Sequence, residues 1–321
     1  MTVEFARKEA VLKPWGVVDV SPWGASGDGA SPVGEIRYFR PSRTGRSPSL
    51  LLKVLFTSQP LSVQVHPDDA QAHALGLPNG KTEAWYVLAA GPAAKVALGL
   101  KRHTTRQELL QAAETGAIGD LLAWRSVKAD DTIFVSAGTI HAIGADVVIA
   151  EIQQNSDATF RLFDYGRQRD LHINNAIAVA NTGPSVIHAE PRVISGERTL
   201  LVANTHFVFE KLELPARSTR WLSVSGETWL LAVDGDASVG NIGMKAGDAI
   251  YASDDSVELH AGPNGLTALI AYVSGRPGFE LLDCARNPAA SHSLSNRRRE
   301  SAVSRTTSLA THLGPGKDAT R

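Results

Sequence analysis

The chain has 321 residues, 43% hydrophobic and 20% charged, a composition that excludes a wholly disordered or fibrous protein and suits one large or two moderate domains with a true core. Lys and Arg number 32 against 33 Asp and Glu, so net charge gives no case for a nucleic-acid or anionic-membrane partner. Cys284 is the only cysteine, which excludes an intramolecular disulfide and a CxxC metal site; with no apolar run of membrane-spanning length and no basic-then-apolar leader pattern, the expectation is a soluble cytoplasmic protein.

Short β-rich runs follow one another along the chain at 50–56, 61–65, 84–88, 132–135, 147–152 and 229–233, with turn sequences such as LPNG, AAGP and GPNG among them. This spacing predicts an all-β sandwich or barrel. Two stretches break the pattern. Residues 104–124 carry helical spacing of Leu109, Leu110 and Ala113 behind a Thr105-x-x-Glu108 capping box, and 174–181 reads as a short helix. Residues 285–321 hold no aromatic residue, ten Ser/Thr and seven Lys/Arg including Arg297-Arg298-Arg299. They predict a disordered basic tail.

An internal repeat is visible. Residues 129–136 (ADDTIFVS) resemble 246–253 (AGDAIYAS) at an offset of 117, and Glu83-Ala84-Trp85 resembles Glu227-Thr228-Trp229 at an offset of 144. The first copy is therefore longer by 27 residues, which a helical insertion at about 101–125 accounts for. The organisation expected is a first β-domain over 1–195 with that insertion, a second over 196–284, and the tail over 285–321.

Polar residues concentrate in the first copy. Alternation along a strand places Ser62, Gln64 and His66 on one face and Val63 and Val65 on the other. The pattern fits either a half-exposed strand or a barrel interior that holds a polar site. Lys81, Glu83 and Trp85 again share a face, and His141 follows a tight turn at Gly138. Two histidines, a carboxylate and an amide oxygen form a suitable ligand set for a divalent metal, with zinc favoured and iron, cobalt and manganese as alternatives. Glu151, Gln153 and Asn155 share a third strand face, and Arg161 and Arg167 follow. Those arginines fit either surface ion pairs or a pocket for an anionic group.

Taken together, LSVQVHPDD at 61–69, GKTEAWYV at 80–87, AGTIHAIG at 137–144 and EIQQNSDATFRLFDYGR at 151–167 resemble the type I mannose-6-phosphate isomerases, zinc-dependent cupin enzymes, in their shorter bacterial form. KPWG at 13–16 and GEI at 34–36 extend the resemblance weakly. It implies two cupin (jelly-roll) barrels and one Zn2+ per chain on Gln64, His66, Glu83 and His141. It implies Arg161, Lys81, Glu151 and Asp157 as catalytic residues, and Ser62 and Arg167 as phosphate contacts. The reaction implied is the reversible isomerisation of mannose 6-phosphate and fructose 6-phosphate through a cis-enediol. The positions of a general cupin pattern before the later histidine hold Asp130, Ser136 and Gly138, which departs from Gly, Pro and Gly. The second copy has Glu258 where the first has His141 and no Gln-x-His before Glu227, so a metal-free second domain is expected, with His206 and His260 as ordinary residues. The competing readings are an isomerase of another phosphosugar, a non-catalytic sugar-phosphate-binding cupin, and an iron cupin oxygenase.

Overall fold

Nearly all the apolar runs become strands. A computed structural model of the chain describes residues 2–24, 31–42, 47–185, 189–278 and 280–283; Cys284 and the expected tail at 285–321 lie outside them. The first half runs β1 (Thr2–Phe5), β2 (Arg7–Val17), β3 (Val33–Phe39), β4 (Leu50–Thr57), β5 (Val63–Val65), α1 (Asp69–Ala74), β6 (Glu83–Ala90), β7 (Lys95–Leu100), α2 (Arg106–Thr115), α3 (Ile118–Leu121), β8 (Leu122–Ser126), β9 (Thr132–Val135), β10 (His141–Ile143), β11 (Val147–Gln154), β12 (Phe160–Phe163) and α4 (Ile173–Val179). The second half runs β13 (Arg192–Ser195), β14 (Arg198–Ala203), β15 (Val208–Leu214), β16 (Thr219–Val239), β17 (Ile242–Lys245), β18 (Ala249–Tyr272) and β19 (Leu282–Asp283).

Two antiparallel sheets build the first barrel, one in the order β2-β3-β4-β11-β6-β9 and one in the order β12-β5-β10-β7-β8. Their facing sides enclose a core of Leu55, Trp85, Val87, Ile133 and Ile149 from the first sheet and Val96, Leu98 and Ile143 from the second. The outer face of the five-stranded sheet is covered by the insertion and by α4, where Leu109, Ala112 and Ala113 of α2 and Ala176 and Val179 of α4 pack on Val63, Val65, Ala97 and Leu162. The outer face of the six-stranded sheet packs on the second half, Leu50, Leu52, Val54 and Phe56 meeting Phe207, Phe209, Trp229 and Tyr251. This layering explains β4, whose eight residues are all buried: one side faces the barrel interior and the other a second sheet.

The second barrel is built on two long strands, β16 and β18, each of which serves successive rows of the sheet. The repeat is structural. Trp85 pairs with Ile133 and Trp229 with Tyr251, a one-residue change of register between the copies. Both tryptophans are buried and both indole N–H groups donate to the glutamate two residues back, Glu83 at 3.2 Å and Glu227 at 3.0 Å. Thr2–Phe5 pairs with β18 and Arg192–Ser195 with β14, so these two segments of the 1–195 stretch add strands to the sheet of the second half. No helix among the described residues is long and apolar enough to cross a membrane.

Candidate metal centre

Strand pairing brings the polar residues of the first copy together. On the five-stranded sheet, Gln64 lies between Arg161 of β12 and His141 of β10. His66 follows Gln64 by two residues and so points the same way. On the facing sheet, Glu83 of β6 lies between Gln153 of β11 and Val135 of β9. The turn before His141 needs Gly138, whose φ of +83° and contact with Asn181, 2.8 Å from an added Cβ, exclude a side chain. The Gly138 N–H donates to the His66 carbonyl at 2.8 Å, which ties the two histidine segments to each other.

His66, Glu83 and His141 each offer a ligand atom within 4.8 Å of the others, and all three are buried. Nε2 of His66 lies 3.3 Å and Nε2 of His141 3.8 Å from the Glu83 carboxylate. Each imidazole binds a backbone carbonyl through Nδ1, Ala158 at 2.8 Å and Thr139 at 2.9 Å. That bond places the proton on Nδ1 and leaves the Nε2 lone pair facing the carboxylate, the arrangement in which a histidine ligates a metal. Burial, then the charge of Lys81, pushes the His66 pKa down to about 4, and burial lowers that of His141; both are neutral at physiological pH. Burial acts to raise Glu83, yet the adjacent Lys81 ammonium holds it well below the usual carboxylate range. Gln64 places its amide nitrogen 3.2 Å from His141 Nε2 while its oxygen accepts from Ser62 at 3.1 Å; a half-turn of the amide supplies a fourth donor, an oxygen.

The residues fit a divalent cation by a direct observation. The Lys81 ammonium reaches into the triad, hydrogen-bonded to Glu83 and 3.2 Å from His66 Nε2. The triad thus already receives a positive group, and two imidazoles, a carboxylate and an amide oxygen are zinc-type donors.

Next to the triad opens a cavity of about 380 Å³ lined by Ser62, Gln64, Lys81, Glu151, Asp157 and Arg161 among others. Six of the predicted site residues therefore share one cavity, and two of them, Gln64 and Lys81, also touch the triad. Arg161 keeps its Nε buried without a hydrogen-bond partner. Glu151 accepts from Trp85 Nε1 at 3.1 Å and from Lys53 at 3.2 Å; because the same indole also reaches Glu83, Glu151 stands one side chain away from the triad. Asp157 is exposed, nearer the mouth.

Arg167 is placed elsewhere. Its guanidinium binds Asp164 and the Pro60 carbonyl, at 2.7 Å for the latter, and stacks on Tyr165, outside the cavity lining. Arg169, two residues on, lines the cavity and is held by two bonds to Asp164 at 2.7 and 2.6 Å. Sequence reasoning also passed over Lys13, Trp15, Glu35, Arg37 and Lys53, all of which line the cavity. Lys53 had a legible signal: it is the lone polar residue inside the run Leu50–Phe56, and a buried lysine in such a strand needs partners. Gln153 at 2.6 Å and Glu151 provide them.

In the second copy the corresponding glutamate, Glu227, accepts from the backbone N–H groups of Ser49 and Leu50, the latter at 2.9 Å. Its lone pairs serve the junction of the two halves. Glu258 is exposed, His260 binds Thr219 at 2.8 Å and His206 lies 4.0 Å from Asp69. Among the described residues the His66–Glu83–His141 group is the one set of three or more such side chains able to hold a metal.

Fold and site define a mainly β protein with two cupin-type barrels and one buried His–Glu–His centre in the first. No protein-family model matches the chain. Among curated proteins, the mannose-6-phosphate isomerase of Streptococcus mutans is 39% identical over 174 residues, 51% of this chain and 54% of that protein. Mannose-6-phosphate isomerase ManA of Bacillus subtilis is 42% identical over 145 residues, 43% of this chain and 45% of that protein. The chain spans about half the length of the curated relatives it matches. In three dimensions the crystal structure of the Bacillus subtilis mannose 6-phosphate isomerase superimposes with a TM-score of 0.73 at 21% identity, covering 85% of this chain and 100% of that one. A zinc-bound mannose 6-phosphate isomerase gives 0.66 at 16% identity, with the same coverage of both chains. These likenesses establish that the chain has the fold of the mannose 6-phosphate isomerases.

Proposed function

We propose that the protein is a metal-dependent aldose–ketose isomerase that interconverts mannose 6-phosphate and fructose 6-phosphate. The observation that carries this reading is the convergence of His66, Glu83 and His141 next to a cavity, joined to it by Gln64 and Lys81, whose lining holds six Lys or Arg side chains against three carboxylates. Its cationic lining favours an anionic substrate over the small neutral substrates of an oxygenase, and the curated relatives carry the same activity by name.

Gln64, His66, Glu83 and His141 would hold the ion, zinc by the chemistry of the set. When bound, it supplies Lewis-acid polarisation of the oxygens on the two reacting carbons. The chain's own residues do the rest. Arg161, with its unpaired Nε and its place next to Gln64, supplies positive charge to the oxyanion that develops as the C2 proton leaves. Glu83 and Glu151 raise the pKa of Lys81 against the effect of burial, and its ammonium donates hydrogen bonds. Glu151, fixed by Lys53 and Trp85 close to the triad, carries the proton between C2 and C1. Asp157, at the mouth, is placed to assist opening of the sugar ring before the isomerisation.

The test is an assay that couples fructose 6-phosphate formation from mannose 6-phosphate to a reduced nicotinamide readout, run on protein as purified, chelated and reconstituted. Turnover that disappears with the chelator and returns with one equivalent of zinc is expected. Absence of turnover in zinc-loaded protein contradicts the reading.

A further inference from the structure

Six cations line the cavity, and four are already engaged, two of them at its metal end. Lys81 touches the triad, and Arg161 is the strand partner of Gln64. Lys53 is held by Glu151 and Gln153, and Arg169 by both oxygens of Asp164. Ser62 donates to Gln64, so it too belongs to the metal end. A substrate that reacts at C1 and C2 carries its phosphate at the other end of a six-carbon chain, and a group farther from the triad must reach it.

Cross-strand register shows what does. Trp85, Glu151, Lys53 and Arg37 form one row across β6, β11, β4 and β3. At about 4.8 Å per strand, Arg37 stands about 14 Å along the sheet from the strand that carries Glu83. Arg37 donates Nε to Glu35 at 2.8 Å, and Lys13 approaches the other oxygen of Glu35 at 3.3 Å. One carboxylate thus orients two cations, while Asp157 and Glu9 lie near enough to act on the charge of Arg37 without a hydrogen bond to it. Among the described residues, nothing accepts from the two terminal nitrogens of Arg37. Both side chains are about a quarter exposed, 25% for Lys13 and 24% for Arg37, so a ligand in the cavity has access to them. Arg37 stands directly opposite Lys53 of β4 on one side and Glu9 of β2 on the other.

We propose that Lys13 and Arg37, held by Glu35 at the β2–β3 end of the cavity, grip the phosphate of the sugar phosphate, a role separate from Ser62 and Arg167. The inference rests on the isomerase reading for the identity of the ligand and is tested by binding, without turnover. In zinc-loaded protein, calorimetry of mannose 6-phosphate is compared between the wild type and Lys13→Met/Arg37→Met, with mannose as the phosphate-free control and zinc content measured in both. Loss of charge-assisted bonds to the phosphate raises Kd for mannose 6-phosphate by about tenfold or more, with mannose affinity and zinc content unchanged. An unchanged Kd for mannose 6-phosphate overturns the grip. A second measurement needs no substitution: with Mn2+ in the centre, paramagnetic relaxation of the 31P signal of bound mannose 6-phosphate reports the metal–phosphorus distance. A value of about 10 Å, the roughly 14 Å to the Arg37 strand less about 4 Å of guanidinium–phosphate contact, is expected, and a value of about 5 Å or less overturns the proposal. Binding that meets these expectations in a protein without turnover leaves the grip standing and removes the isomerase reading; normal turnover with an unchanged Kd does the reverse.

Discussion

His141 shows how much chemistry one position concentrates. It is fully buried, proton-fixed by the Thr139 carbonyl and in edge contact with Trp85, so His141→Ala removes a ligand that no neighbour replaces. We expect that variant to lose bound metal and turnover together, as read by elemental analysis beside the coupled assay. Arg161→Ala and Glu151→Gln separate metal from rate. Both are expected to keep about one metal per chain, while kcat falls about 10²–10³-fold for the arginine and about 10²–10⁴-fold for the carboxylate; wild-type kcat in either removes that residue from the mechanism. Glu35 makes a prediction in pH. Burial acts to raise its pKa, but Lys53, Arg37 and Lys13 together hold it below the usual value. A carboxyl lowered in the folded state contributes stability above its unfolded pKa, about 4.3, and loses it as the pH falls through the folded value. Glu35→Gln should therefore reduce the urea midpoint at pH 7 more than at pH 3; an equal reduction at both contradicts the ion-pair account. At this scale alternation made the shared face of Ser62, Gln64 and His66 legible, while the proposed ligand set came from the resemblance. Arg169 was not, since its neighbour Arg167 is chemically identical and only the Asp164 and Pro60 contacts distinguish them.

Helix α2 illustrates what elements reveal and conceal. The periodicity of Leu109 and Ala113 announced it, and it ends at Gly116 with φ +78°. The expected capping box at its start is half made: Thr105 accepts from the Glu108 N–H at 3.1 Å, but the Glu108 side chain turns to Arg102. A complete box forms instead at Asp68 and Gln71, reciprocal bonds of 2.7 and 3.0 Å that start α1 immediately after His66. Helix α2 is shorter than the 104–124 stretch because α3 and β8 take up the remainder. Its function is cover. Leu109 seals the outer side of the strands that carry Gln64 and His141. Leu109→Ala is expected to cost about 2–5 kcal/mol and Thr105→Ala about 1 kcal/mol in urea unfolding; equal losses would show that α2 is not packed as described.

The whole molecule is one motif used twice for different ends. In each half a strand carries Glu-x-Trp with the indole returning to the carboxylate. In the first half that carboxylate faces two imidazoles across the barrel; in the second it caps backbone N–H groups at the start of β4 and binds the halves together. The repeat was visible as two short matches, and its architecture followed. The long paired strands β16 and β18 and the lending of Thr2–Phe5 to the second sheet were not visible, because both depend on pairings between segments far apart in the chain, which local pattern does not encode. The cavity was half legible for the same reason: Lys13 and Glu35 fall in stretches that extend the resemblance only weakly, Arg37 and Lys53 in none, and all four come to the cavity through the sheet order β2-β3-β4-β11. The central claim is that this assembly holds one divalent cation on His66, Glu83 and His141. X-ray absorption at the zinc edge of protein reconstituted with one equivalent of zinc tests it most directly. Two imidazole nitrogens at about 2.0–2.1 Å with oxygen ligands completing the shell are predicted; a shell without imidazole scattering, or one containing sulfur at about 2.3 Å, contradicts it.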